Sequence, residues 1–355
     1  MAFRFNGLIQ KYFTNIFVSV VRYANEWHLH SKVVKNGKIL RKFSKSFPLQ
    51  SNDTLSKELL DYLEELYNTH TYMYLSYLLD SMGQGAIFGT SAQDFENNSI
   101  DFKNIIPLTV EKKWSLYASF IDINWTKKIF EQAPIDFIYS PFILLYDFIC
   151  TSKKSQQPIF YIFNHQDYVA MAVFADTTLL FASFFKTAID EGLLGNEAVE
   201  NWEEEEALDD TQKIIELSDE QEEAEDFESL ESLDDLESFN ALEGSHDLES
   251  AFESENDEDK ETTMLGRFGE KNDNDIQIYG RDMYAYKYLL VSIKEYYKNR
   301  VYASDFIEKI VIYDGYELSR DFIDMIEKDL MMDVEIHKID ISQSVCDLAI
   351  KEIGL

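Results

Sequence analysis

The chain has 355 residues, 45% of them hydrophobic and 14% aromatic, and its 66 acidic against 32 basic side chains give a formal net charge of −34. That length and apolar content suffice for two domains of ordinary size, each with its own core. The charge excludes a protein that tracks along phosphate backbones unless a local basic patch overrides it, and no such patch is read.

The amino terminus carries Arg4, Asn6, Gln10 and Lys11 where a secretory signal would be uninterrupted and apolar. Ile16 to Arg22 is a β-branched and aromatic run, and Glu26 to Val34 follows as a second strand. In the latter, Trp27, Leu29 and Val33 alternate with His28, His30 and Lys32, which predicts one buried and one wet face. Lys35-Asn36-Gly37-Lys38 supplies an Asn-Gly hairpin turn, and Ile39 to Phe47 is the third strand. Asp53-Thr54 is the expected cap of a helix running to about Tyr67, with Leu55, Leu59, Leu63 and Leu66 on one stripe. Thr71 to Leu79 is a fourth strand.

Trp114 to Ile123 reads as a strand, with Asn124 capping a helix through Ala133, and Ser140-Pro141 opens another helix with proline at its first position. Pro158 to Phe163, the turn Asn164-His165-Gln166-Asp167, Tyr168 to Phe174 and Thr178 to Phe185 repeat the three-stranded meander. The span Tyr168 to Phe185 is long enough for a bilayer crossing, but Asp176 sits in its middle, at roughly 3 kcal/mol for a charge at the bilayer centre. It reads as a hairpin of a soluble protein. Cys150 and Cys346 lie in apolar helical stretches without ligand-like spacing and read as buried thiols of a reducing compartment.

Between Glu191 and Glu261 there are 30 acidic residues against only Lys213 and Lys260, so this stretch holds −28 of the net charge and leaves −6 for the rest. Residues 190–275 thus read as an acidic disordered insert. Within it Phe227, Leu230, Leu233, Leu236, Phe239 and Leu242 recur every third residue, a solvated spacer or a lure for a basic, apolar partner. Beyond it come a Tyr-rich helix from Arg281 to Asn299, a strand Lys309 to Tyr313 ending in Asp314-Gly315, a helix Leu318 to Leu330, a strand Asp333 to Ile339 and a closing helix Ser342 to Ile353.

Three stretches carry a family resemblance: "WSLYASFIDINWTKKIFEQAPIDFIYSPFILLYDFI" (114–149), the meander from Pro158 to Phe185, and Tyr288 to Ile341, above all "FIEKIVIYDGYELSRDFIDMIEKDLMMDVEIHKIDI". Together they resemble the actin-like ATPase superfamily, in its pilus and secretion assembly branch, which includes PilM of type IV pili and the cytoplasmic part of the type II secretion L protein. The resemblance covers about three quarters of the chain. It implies an α/β fold of two actin-like lobes, each with a β-meander plus helix–strand units. The first lobe would be residues 1–156, the second would start at 157–189 and resume at 276–355, and the insert would replace much of its outer part. In the superfamily, glycine-rich turns after each lobe's first strand wrap the phosphates, because glycine lets backbone N–H groups approach closely. The corresponding residues here, Ser19-Val20-Val21-Arg22-Tyr23 and Asn164-His165-Gln166-Asp167-Tyr168, contain no glycine, and the adenosine-side turn Asp314-Gly315-Tyr316 keeps one. The degenerate nucleotide site implied is Ser19, Asn164, Asp167, Asp314 and Gly315, and the expectation is no cofactor, with ATP as the alternative.

Other chemistry is thinner. His28 and His30 on one strand face start a metal site only if a third ligand joins them; a solvent-facing pair is the simpler expectation. His165 and Asp167 form a base–carboxylate pair or, more simply, serve the turn. Gly83-Gln84-Gly85 is read as an ordinary loop rather than an anion cradle. The expected function is a non-catalytic cytosolic scaffold of a pilus, secretion or DNA-uptake assembly, docking the cytosolic tail of an inner-membrane partner. The acidic insert would meet a basic protein, and neither nucleic acid nor a membrane span is expected. An ATP-binding actin-like enzyme or ATP-regulated assembly factor is the alternative.

Overall fold

The computed structural model describes residues 12–51, 54–152, 155–187, 273–299, 302 and 305–354. By contacts the chain divides into Met1–Ile189 with Asp273–Leu355, and Asp190–Asn272. Residues 190–272 of the expected acidic insert, with its three-residue repeat, lie outside the described residues, as do the first eleven; its last three residues, 273–275, are helical and not insert.

The first lobe opens with β1 (Asn15–Arg22), β2 (Glu26–Lys35) and β3 (Lys38–Pro48), an antiparallel meander. Asn36 and Gly37 both take positive φ, 52° and 70°, the backbone a two-residue hairpin needs. Helix α1 (Lys57–Thr69) buries Leu59, Leu63 and Leu66. Its cap is Ser56, whose hydroxyl accepts the Leu59 amide, and not Asp53-Thr54; Leu55 is buried just before the cap. Strand β4 (Tyr72–Leu78) returns parallel to β1, and β8 (Phe137–Tyr139) parallel to β4, giving the order β3-β2-β1-β4-β8.

A small antiparallel sheet intervenes: β5 (Gln84–Phe88), helix α2 (Ala92–Asn97), a single 3₁₀ turn, β6 (Ile105–Val110) and β7 (Trp114–Ser119), in the order β5-β7-β6. Gln84 and Gly85 are therefore strand and not loop, and a side chain at Gly85 would collide with the Tyr117 ring. The expected long strand Trp114 to Ile123 stops at Ser119, whose hydroxyl accepts the Ile121 amide and starts α3 (Phe120–Ile129). A local cap thus wins over the apolar run, and Asn124 lies inside the helix. Helix α4 (Pro141–Thr151) begins at Ser140-Pro141 as read.

The second lobe repeats the first. Strands β9 (Ile159–Asn164), β10 (Tyr168–Ala175) and β11 (Thr178–Lys186) form the meander, with Asp176 in its turn at φ 54°. Helix α5 (Asp273–Lys298), β12 (Ile310–Asp314), α6 (Arg320–Asp329), β13 (Val334–Lys338) and α7 (Ile341–Ile353) complete it, in the order β11-β10-β9-β12-β13. β12 is parallel to β9 and to β13. Among the described residues no helix is long and apolar enough to cross a membrane.

Two sheets with one strand order and one pattern of parallel and antiparallel pairs make this the two-lobed actin-like fold. Each lobe's last helix packs on the other lobe: α4 on β9 and β10, α7 on β1, β2 and β4, and α4 on α7. The core between them joins Phe17, Trp114, Phe142, Leu145, Phe163 and Val345. Further cores lie under each sheet, around Trp27, Leu59 and Phe130 in one lobe and Phe160, Leu289 and Phe322 in the other.

The crossing of α7 corrects the expectation of a wet face on β2. His30 is 3% and Lys32 4% exposed, since the end of the chain covers them. Of their polar atoms, His30 Nδ1 meets the Ser44 hydroxyl at 2.8 Å and Lys32 Nζ meets Asp347, on the crossing helix, at 2.5 Å. Of the two cysteines only Cys346 is buried, its thiol pushed up to about 12 by burial; Cys150 is exposed near the end of α4.

Candidate functional site at the seam between the lobes

Ladder pairing carries β1 through Arg22, opposite Trp27, and the turn that follows is closed by the Tyr23 amide donating to Glu26 at 2.9 Å. The first turn is therefore 23–26, and Ser19 is a fully buried strand residue. Its hydroxyl lies 2.6 Å from the carbonyl of Ser342, at the start of α7, and 3.2 Å from that of His30. Helix α7 stands over the place where a phosphate would approach Ser19.

In the second lobe Asn164 ends β9, and the His165 amide donates to Tyr168 at 3.0 Å across the tight turn. Asn164 Nδ2 donates to Asp314 Oδ1 and to the Tyr316 carbonyl, both at 2.7 Å, while the Gly315 amide donates to the Asn164 carbonyl at 2.9 Å. The Asp314 carboxylate accepts the Tyr316 and Leu318 amides at 3.2 and 3.3 Å. Burial pushes that carboxyl up and these bonds oppose the rise. Asn164, Asp314 and Gly315, distant in sequence, thus come together as a clasp on the ends of β9 and β12. A methyl group on Gly315 would collide with the Ile341 side chain, so close packing accounts for the retained glycine.

Between the two turns the space is filled with rings. Tyr23 stacks on His165 with centroids 4.6 Å apart and planes 24° off parallel. On one side Tyr23 meets His28 at 4.4 Å; on the other His165 meets Tyr168 at 4.3 Å, and Tyr168 meets Phe184 at 5.0 Å. His165 is fully buried, and burial, then Arg281, His28 and Lys186, lower its pKa to about 3. It is neutral at physiological pH. Its Nδ1 accepts the Asp167 amide at 3.2 Å, which places the ring proton on Nε2. Asp167 Oδ2 lies 4.0 Å from that same Nδ1, so the pair is a turn contact and not an ion pair. Burial, then the charge of Asp80, raises the Asp167 carboxyl to about 6.

Arg281, 5% exposed, fastens this turn from α5. Its guanidinium donates to the carbonyls of His165 and, at 3.3 Å, Gln166, and pairs at 3.2 Å with Asp282, which accepts the Ser319 amide at 2.7 Å. Beside the column an open cleft of about 690 Å³ has Glu26, His28, Lys45, Gln166, Tyr316 and Asp340 among its lining. Its ionisable groups are already engaged. Glu26 meets His28 Nε2 at 2.6 Å, Asp340 caps α7 through the Gln343 amide at 2.8 Å, and Lys45 lies over the Phe47 and Tyr62 rings. Among the described residues no group of three or more His, Cys, Asp or Glu could hold a metal ion, and His28 and His30 have separate partners.

Tyr23 and Arg281 are the site residues that sequence reasoning missed. Tyr23 was visible as an aromatic where the superfamily pattern asks for glycine. Arg281 was visible only as an early cation after the acidic stretch, with nothing to aim it at His165.

The family model described as "Domain of unknown function (DUF8341)" matches residues 160–354, and another, "Domain of unknown function (DUF8569)", matches residues 13–146. No curated protein sequence matches the chain. Among solved structures it is similar to a Bacteroides thetaiotaomicron protein with actin-like ATPase fold and unknown function (13% identity, 98% of each chain, TM-score 0.43). It is also similar to the PilM-PilN type IV pilus biogenesis complex (11% identity, 95% of this chain and 98% of that one, TM-score 0.49). A third is the ethanolamine utilization protein EutJ from Carboxydothermus hydrogenoformans (8% identity, 96% of this chain and 90% of that one, TM-score 0.40).

Proposed function

This chain belongs to the family of the domain of unknown function DUF8341, and from the ring-filled seam between its two lobes we propose that it is a non-catalytic scaffold. The observation that carries this is the Tyr23–His165 stack. A phosphate chain bound between two turns needs main-chain N–H groups free to face it. Here two rings occupy the gap, Arg281 takes up carbonyls of the second turn, and α7 stands over Ser19.

A protein whose lobes are held shut presents its outer surfaces to partners. The resemblance to the pilus and secretion assembly branch supplies the partner class: the cytosolic tail of an inner-membrane assembly protein, docked by the first lobe. The chain would then work in the cytosol and meet the membrane through that partner.

Calorimetric titration of the full chain with Mg-ATP tests the proposal. No heat at millimolar nucleotide is the expected result. Micromolar affinity would overturn it and restore the ATP-dependent enzyme.

A further inference from the structure

We propose that the outer edge of β3 is a docking strand for an extended acidic peptide of a partner protein. β3 ends the first lobe's sheet, and among the described residues no strand pairs with its outer side. It is eleven residues long, and nine of them are exposed. A long open edge presents a row of main-chain donors and acceptors that another chain can satisfy.

The charge on this edge is reversed from that of the protein. From Trp27 to Asn52 the sequence holds Lys32, Lys35, Lys38, Arg41, Lys42 and Lys45 and no acidic residue, in a chain of net charge −34. This corrects the expectation that the chain has no local basic patch: the Asn36-Gly37 hairpin gathers the cations on one edge. Lys32 is spoken for by Asp347, and among the described residues none of the other five forms an ion pair with a carboxylate. Between them Ile39 and Leu40 stand 54% and 55% exposed, apolar surface that an alternating acidic–apolar strand would cover.

An extended peptide fits better than the other occupants of a basic strand. Phosphates accept hydrogen bonds but donate none, so a nucleic acid held through its backbone phosphates leaves the edge carbonyls unanswered. A second copy of this chain paired β3 to β3 would set cations against cations. Lysines on an edge do guard against such self-pairing, and the same charges attract a strand of opposite sign.

This inference deepens the scaffold reading and rests on it, and the two fail separately. A chain that binds Mg-ATP overturns the scaffold, whereas one that binds neither nucleotide nor peptide overturns only the docking strand. The probe is a labelled peptide alternating glutamate with valine, matched to β3 in length and titrated into the full chain by fluorescence anisotropy. Expected are saturable binding that weakens as salt rises and slowed hydrogen exchange at β3 amides. A double reversal Lys38→Glu, Arg41→Glu should weaken binding about tenfold while the thermal midpoint stays put. No binding at low salt overturns the proposal, as does protection confined to other strands or affinity indifferent to the reversal. So does equal or tighter binding of an oligonucleotide of similar length. Concentration-dependent dimerisation that the reversal abolishes would assign the edge to a second copy instead.

Discussion

The ring of Tyr23 lies 4.6 Å from the imidazole of His165, and this pair is the middle of a column of five rings, His28, Tyr23, His165, Tyr168 and Phe184, that passes from one lobe to the other. Stacked pairs contribute about 0.5–1.5 kcal/mol beyond the area they bury. Tyr23→Ala and His165→Ala should each lower the urea midpoint, and the double variant should lose less than the sum. A coupling of about 1 kcal/mol is expected from the cycle. Strict additivity would mean that the stack adds no coupling beyond the other contacts between the lobes, those of α4, α7 and the β5–β11 pair.

His165 and Asp167 shift in opposite senses, and their effects on acid stability oppose each other. His165 has a folded pKa of about 3 against an ordinary 6.5, so its contribution is complete above pH 6.5 and is lost as pH falls toward 3. Asp167 has a folded pKa of about 6 against 3.8, so its contribution is complete below pH 3.8 and is lost as pH rises through 6. Between these limits the slopes largely cancel. Asp167→Asn leaves His165 unopposed, and the variant should lose up to about 1.4 kcal/mol per pH unit more than the parent between pH 6 and pH 4. Thermal melts at several pH values check this; parallel curves for the two proteins would contradict it.

Gly315 separates a packing role from a ligand role. A side chain there meets Ile341, 1% exposed at the first position of α7, and lies 3.2 Å from the Asn164 carbonyl oxygen. Gly315→Ala should destabilise by about 1–3 kcal/mol, the usual range for overpacking. Adding Ile341→Ala, which removes the colliding atoms, should restore part of that loss. A Gly315→Ala protein as stable as the parent but altered in its response to Mg-ATP would return this glycine to a nucleotide site.

Much of the fold was legible because meander, helix and parallel strand repeat with their own periodicities, so β1 to β3 and β9 to β11 could be read as one motif twice. The small sheet was largely missed. Ile105 to Val110 has a proline inside it, and Gln84 to Phe88 follows a glycine, so neither looks like a strand without β7 beside it. Within the site, Asn164, Asp314 and Gly315 were picked out by their places after strands, and the structure does gather them. What periodicity could not supply was the crossing of α7. Two-residue alternation marks which side chains share a face of β2, but not that a helix from the far end of the chain will cover His30 and Lys32.

That crossing gives a final prediction, at the pair Lys32 and Asp347. Lys32 is 4% exposed and stands opposite Lys42 on β3, while its carboxylate partner on α7 is 38% exposed. Removing one member of such a pair leaves the other charge buried and unanswered, whereas replacing the buried member with an apolar chain of similar length removes the demand altogether. Asp347→Ala should therefore destabilise by about 1–3 kcal/mol, discounted from the fully buried case because the carboxylate is partly solvated. Lys32→Met should stay within about 1 kcal/mol of the parent, since the methionine stem fills the same channel under α7. Denaturation of the two variants side by side decides the matter. Equal losses would show that Lys32 reaches water or another anion, and that α7 does not seal β2 as described.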